Sequence, residues 1–237
     1  MRCSATGKVI AVPTTPSEAL VVSAPAAFRL TDPQSIVAAR RLHASVYRQL
    51  GYVEDQDLSD GVIDAAMDPW VPLSTYFAAR SSDGHLLGVA RLIRYTPEQR
   101  LPALQHGVVA SPFADLIAKV ADSTAEVSAL AIAPGAPRGT AVSLYEAMWR
   151  YGIQERHRMW LMLIERRFRR MLHALLGPVT QTVGPEGWYM GGRVAPDLLN
   201  TATTHQIIST HENTHPVSLP SGLSARFPHN PAWEVTR

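Results

Sequence analysis

The sequence predicts a mixed α/β domain in which one central sheet carries helices on both faces. Three observations lead there. The chain reads as strand, long helix, hairpin, strand, loop-helix, strand, helix, strand, the alternation expected of a layered α/β core. The run MWLMLI at 159–164 is continuously apolar, as in a strand buried on both faces. The segment AEVSALAIAPGAPRGTAVSLYE at 125–146 reads as a strand, a Pro/Gly loop and a helix. Its 237 residues suit one large domain, or one domain with appendages.

In chain order, residues 1–25 are rich in Ser, Thr, Pro and Ala without periodicity, and read as a loosely ordered arm. A short strand at 27–30 leads through Thr31, Asp32 and Pro33, a helix-start signal, into a helix at 34–50. Ile36, Val37, Leu42, Val46, Tyr47 and Leu50 recur there at helical spacing, and Gly51 ends it. Residues 53–72 are acidic and irregular. A hairpin follows: strands 74–80 and 85–95 around Ser82, Asp83 and Gly84. A connection at 96–111 precedes a short helix at 113–120. Strand 124–133, helix 140–154, strand 159–164 and helix 166–176, closed by Gly177, complete the core. Late strands are expected at 179–182 and 187–194. From Pro196 the chain turns polar and reads as a tail with little regular structure. The domain is therefore placed at 26–199, with a tail at 200–237.

Composition excludes several classes. The chain is 46% hydrophobic and 18% charged, ordinary for a globular protein. No apolar run approaches a membrane span, so no integral membrane segment is expected. The mildly apolar stretch at 20–27 contains Pro25 and lacks a secretory h-region. A single cysteine, Cys3, rules out an internal disulfide framework and fits a reducing cytoplasm. Arginine outnumbers lysine 20 to 2, a bias of GC-rich bacterial genomes. Seven arginines fall between 150 and 170, a basic surface able to dock an acidic partner or simply a solvated helix face. They are not interleaved with aromatics, which argues against nucleic acid.

The residues carrying chemistry sit around Glu126. A carboxylate in an otherwise apolar strand is costly unless paired. It is a candidate general base with its pKa raised by burial, or half of a salt bridge, most plausibly with Arg91. Gly139 and Thr140 would present backbone N–H groups at a helix N-terminus, where the dipole favours a phosphate. A carboxylate beside such a turn suits an enzyme that takes a group from a phosphopantetheine-type carrier and deprotonates an acceptor. In the tail, His211-Glu212-Asn213-Thr214-His215 matches the zinc-binding H-E-x-x-H pattern. Its polar context and Pro216 make a metallopeptidase a remote alternative, and no metal is expected.

The order of elements, with GHLLGVARLIRYTP, AEVSALAI, PRGTA and the late LLG, resembles the GNAT acyltransferase superfamily. Within it the likeness is to the branch of acyl-homoserine-lactone (autoinducer) synthases and bacterial N-acyl amino acid synthases. The residues that carry it are Val46-Tyr47 with Gly51-Tyr52, Asp68, Tyr76 to Ala79, Gly88 with Arg91-Leu92, and Glu126 with Ser128. They span about residues 28–199. Two positions depart: Ala129 and His43 stand where that branch usually has arginines, against homoserine-lactone synthesis in particular. The resemblance implies a mostly antiparallel GNAT-like sheet. It implies an N-acyltransferase that moves a fatty acyl group from an acyl carrier protein or coenzyme A thioester to an amino acid or related small amine. The product could partition into a membrane. A small-molecule acetyltransferase using acetyl-CoA is the alternative, and a binding module with an inert Glu126 a third class. The long segment before the hairpin and the arginine cluster favour the long-chain reading. On this reading Glu126 is the base and Arg91 its partner or the substrate carboxylate's. Ser128 contacts acceptor or thiolate, and the backbone of Leu130, Ala131 and Ile132 holds the thioester and pantetheine. Arg138, Gly139 and Thr140 take the phosphate, and His173 occupies the position of a thiolate-protonating tyrosine.

Overall fold

The computed structural model describes residues 25–137, 139–215 and 223–228. The N-terminal arm up to residue 24, Arg138 and most of the chain after 215 lie outside the described residues. Strand β1 (Ala26–Arg29) leads into helix α1 (Pro33–Gln49). Its start follows the sequence signal: the Asp32 carboxylate accepts the Ser35 N–H at 2.7 Å, and Pro33, which has no N–H to satisfy, opens the first turn. The acidic segment holds a small ribbon, β2 (Leu58–Ser59) with β3 (Val62–Ile63). The hairpin is β4 (Ser74–Arg80) and β5 (Leu86–Arg94). The connection after it contains helix α2 (Pro102–Gln105), then α3 (Ser111–Lys119). Strand β6 (Thr124–Ile132), helix α4 (Thr140–Gln154), strand β7 (Met159–Ile164) and helix α5 (Arg166–Leu176) follow. The chain continues through β8 (Gln181–Thr182), β9 (Gly187–Tyr189), β10 (Gly192–Asn200), α6 (Thr201–Thr214) and α7 (Leu223–Arg226).

The main sheet has the order β1-β4-β5-β6-β7-β10-β8, with β9 against β10. Every pair is antiparallel except β6 with β7. Two cores cover one face. Tyr76, Ala78 and Val89 pack under α1, while Ile93, Met159 and Leu161 pack with Ala103 and Ile117 of α2 and α3. The opposite face buries Phe77, Leu92, Trp160 and Met162 under α4, α5, α6 and α7. Burial of this size, roughly 25 cal/mol per Å2 of apolar surface, is the main favourable term for the fold.

Two expectations at the C-terminal end need correction. Residues 187–194 form not one strand but the turn of a hairpin, with Met190 and Gly191 at positive φ. Residues 201–214 are a helix, not an irregular tail: the Asn200 side chain caps Ala202, and Thr201, Thr204 and Ile208 face the core. Gly191 has φ of +72°, and a Cβ there would lie 2.4 Å from the Gly51 carbonyl oxygen. Gly84, at φ +89°, has open space around it. Left-handed backbone costs an L side chain about 1–2 kcal/mol. Gly84→Ala should lose about that much stability in urea unfolding, and Gly191→Ala distinctly more, because backbone must also move.

Candidate active site

The strands β6 and β7 pair only over Thr124–Glu126 and Met159–Leu161, then part. On its other edge β6 is irregular. Two steps along β5 (Val89 to Arg91) are matched by three along β6 (Ala131 to Ser128), a bulge with Ala129 at φ +53°. Beyond Glu126 the β7-facing edge of β6 has lost its strand partner. A cavity of about 270 Å3 fills the gap, lined by residues 127–130 of β6 and 162–164 of β7. It crosses the sheet. Tyr145 of α4 and Phe168 of α5 close it on one side, and His43, Tyr47, Asp68, Trp70, Arg91 and Glu126 on the other.

Glu126 is 2% exposed, and its Oε2 accepts the Ala103 N–H at 2.8 Å. Pro102 opens α2, so the Ala103 amide is one of the donors a helix start leaves without an internal partner. Burial pushes the Glu126 carboxyl up to about 8, with the Ala103 N–H and the Arg91 charge pulling it partly back. Arg91 does not bond to it. Cross-strand register sets Arg91 opposite Ser128 and Ile93 opposite Glu126. Arg91 instead donates to Asp68 Oδ2 at 2.7 Å, with longer contacts to Tyr76 and Ser128. Asp68 arrives on a turn whose Asp64 carboxylate accepts the Ala66 N–H and whose Asp64 carbonyl accepts the Asp68 N–H. Burial opposes the Arg91 charge, but Asp68 and Tyr76 more than offset it, so the guanidinium holds its proton more firmly than usual. Three buried polar atoms on this side have no hydrogen-bond partner: His43 Nε2, Asp68 Oδ1 and Arg91 Nε. Burial, then the Arg91 and Arg40 charges, hold the His43 imidazole well below its usual pKa, so it is neutral.

Of the residues singled out in sequence, the structure brings Glu126, Arg91, Ser128 and Leu130 to the cavity. Ala131 and Ile132 are paired with Val89 and Gly88 and do not line it. Gly139 caps α4 with φ of +95°. Thr140 gives both its N–H and its hydroxyl to the Pro137 carbonyl, which leaves neither for an anion. Arg138 lies outside the described residues. His173 is away from the cavity; its Nε2 meets the Thr180 hydroxyl at 2.8 Å, which in turn donates to the buried Asp197. It joins a packing network and is out of place as an acid for a thiolate. The H-E-x-x-H reading fails on geometry: Glu212 accepts the N–H groups of Leu223 and Ser224, and His211 Nε2 meets the Ala174 carbonyl. Among the described residues no group of three His, Cys, Asp or Glu could hold a metal.

The cavity also holds residues that the motif reading did not place there. Tyr52 donates to Glu165, which Arg167 pairs, at the mouth. Tyr189 of β9 stacks on His106, with ring centroids 4.8 Å apart. Tyr145 of α4 also lines the gap, and burial raises its hydroxyl above the usual tyrosine range.

A bulged strand parting from its parallel neighbour around a buried carboxyl defines a GNAT-like acyltransferase architecture. The family model of the N-acyl amino acid synthase FeeM matches residues 38–192, and the chain belongs to that family. Among solved structures, FeeM from uncultured soil microbes is similar at 19% identity and a TM-score of 0.61, over 79% of this chain and 96% of that one. The coenzyme A-dependent acyl-homoserine lactone synthases BjaI (14% identity, TM-score 0.58, 86% and 98% covered) and MesI (16%, 0.55, 83% and 100%) share the fold. No curated protein matches by sequence. Among the described residues no helix is long and apolar enough to cross a membrane.

The buried Glu126 carboxyl makes a stability prediction. Its folded pKa of about 8 exceeds the ordinary 4.5, so the folded state binds the proton more tightly. The stability it contributes is full below about pH 4.5, falls as pH rises from there through the folded value of about 8, and is level beyond it. Glu126→Gln removes that loss while keeping an acceptor for Ala103. In denaturant titrations the variant should match the wild type near pH 4, exceed it increasingly from about pH 5 to 8, and keep a constant advantage above that.

Proposed function

We propose that this protein transfers an acyl group from a carrier thioester to the nitrogen of a small amine, an amino acid or a related compound. The observation that carries the reading is the open β6 edge lying beside a buried carboxyl inside one cavity that crosses the sheet. An acyl thioester would lie in the gap, where amides of residues 128–130 meet its carbonyl and the pantetheine arm as a strand would. Apolar side chains such as Met162, Ile164 and Phe168 would take the acyl chain. The amine would enter on the Glu126 side. Its nitrogen attacks the carbonyl carbon, Glu126 takes the proton it loses, and the tetrahedral intermediate collapses with cleavage of the C–S bond. The proton on Glu126 then goes to the departing thiolate, so the base is regenerated each turnover. The base form dominates only above pH 8, so kcat/KM should fall with acid across that value. Glu126→Gln should cost 10²–10⁴-fold and flatten the limb; unchanged amide formation in the variant would reduce Glu126 to a structural group.

The donor is proposed to arrive on an acidic acyl carrier protein. The arginine cluster is not one patch. Arg156 and Arg158 precede β7 and Arg166 to Arg170 follow it, so the six-residue strand sets them roughly 20 Å apart. Arg166, Arg167, Arg170 and Arg193 line a groove at the cavity mouth with Trp188, which is 72% exposed. Arg166→Glu with Arg170→Glu should raise KM for the acyl carrier several-fold and for a short acyl-CoA little, with a steep salt dependence. Arg156→Glu with Arg158→Glu should leave both near wild type. Equal response of both donors to the first pair would rule out docking at the mouth.

A further inference from the structure

The loop that carries Asp68 to Arg91 also carries Trp70 to α2. Trp70 is 2% exposed and lines the cavity. Its indole Nε1–H donates to the Arg100 carbonyl at 2.8 Å, and its ring meets His106 edge-on, with centroids 5.7 Å apart. These two partners bracket α2 (Pro102–Gln105): Arg100 stands two positions before it and His106 directly after it. Tyr189 stacks on the same His106 ring.

What α2 supplies to Glu126 is the aim of one N–H group, that of Ala103. Four residues cannot hold that aim alone, because a single helical turn does not repay its own nucleation. The pins come from outside and from the chain just before it. Trp70 fixes the Arg100 carbonyl, Leu101 is extended as the residue before a proline must be, and Pro102 locks its own φ. The Leu101 carbonyl then accepts the Leu104 and Gln105 N–H groups. Little free rotation remains between Arg100 and Ala103, and the indole bond anchors the far end. A donor to the charged form of a carboxyl favours that form. Against burial, which raises the Glu126 carboxyl, the Ala103 bond is the larger of the two pulls that lower it, ahead of the Arg91 charge.

We propose that Trp70 is a positioning residue for the base. Through Arg100 and α2 it holds the Ala103 N–H on Glu126, and so sets how readily Glu126 takes a proton, with His106 as a second, weaker pin. The catalytic consequence rests on the acyltransfer reading above. The other groups around Glu126 hold their charge state near pH 8. Arg91 of β5 keeps its proton firmly and is bound to Asp68. Tyr189 of β9, raised by burial and then by the Glu126 charge, stays neutral. On α1, His43 is held well below its usual pKa by burial, and Tyr47 is pushed up to about 12 by burial. Burial also lowers the His106 imidazole, which is therefore neutral there.

The test reads the Glu126 carboxyl directly, by the infrared carbonyl band of its protonated form, assigned by its absence from Glu126→Gln. It is followed with pH beside kcat/KM for amide formation from an acyl thioester. Trp70→Phe keeps a ring and removes the N–H. The midpoint of the band and the acid limb of the rate should both move up from about 8 by about 0.5–1 pH unit. At pH 7 the rate should then fall about three- to tenfold while the alkaline plateau holds. His106→Ala, at an exposed position, should move both the same way by less. In the Glu126→Gln background, Trp70→Phe should cost nothing further. A band and limb that stay in place, with the rate unchanged or lowered evenly at every pH, overturn the proposal. Should Trp70→Phe not fold, the band in His106→Ala decides. A band that moves in a protein that forms no amide upholds the link from Trp70 to Glu126 and removes the acyltransfer reading.

Discussion

The site depends on one break in the sheet. Three residue pairs hold β6 to β7, and then the strands separate, while the bulge at 128–130 turns β6 against its other neighbour. Ala129 holds a left-handed conformation to make that turn, a cost of about 1–2 kcal/mol that the surrounding ladder must sustain. The break opens a passage through the sheet instead of a pit on one face. On the proposed reading, the acceptor amine then approaches the donor's carbonyl carbon from the side opposite the carrier arm.

Electrostatics then separates the roles of the buried groups. Arg91 and Asp68 are 4% and 6% exposed and neutralise one another, so they form a fixed polar wall with spare hydrogen-bonding atoms. Removing either partner would strand a buried charge, at about 3–5 kcal/mol. Burial raises the Glu126 carboxyl, and with no cation bonded to it and a single backbone donor to pull it back, it holds a proton near neutrality while remaining able to give it up. One fixed pair beside one titrating group is an arrangement in which a proton can move without disturbing the scaffold.

Much of this was legible in the sequence, for physical reasons that differ by element. MWLMLI had to be a central strand because nothing polar interrupts it, and α4 begins as read because Gly139 permits the turn that precedes it. Glu126 stood out as a lone carboxylate in an apolar strand. Its supposed partner did not hold, because strand alternation places Arg91 and Glu126 on one face but not their offset of one pair, and Asp68 reaches Arg91 from a loop 23 residues away. His173 occupies a suggestive position, yet α5 turns Leu172 and Leu176 to the core and His173 to Thr180. Helix α6 was hidden because two of its three buried positions are threonines, which read as polar although their hydroxyls bond to backbone carbonyls. Tyr52, Tyr145 and Tyr189 converge from three separate elements, and no local pattern signals that.

The most direct measurement is a single-turnover incubation of the purified protein with a long-chain acyl thioester and a pool of amines, following thiol release and product mass together. The account predicts an acyl amide formed in step with free thiol, one for one. Thiol released with free fatty acid and no amide, or turnover of acetyl-CoA with none of the long-chain donor, would contradict it.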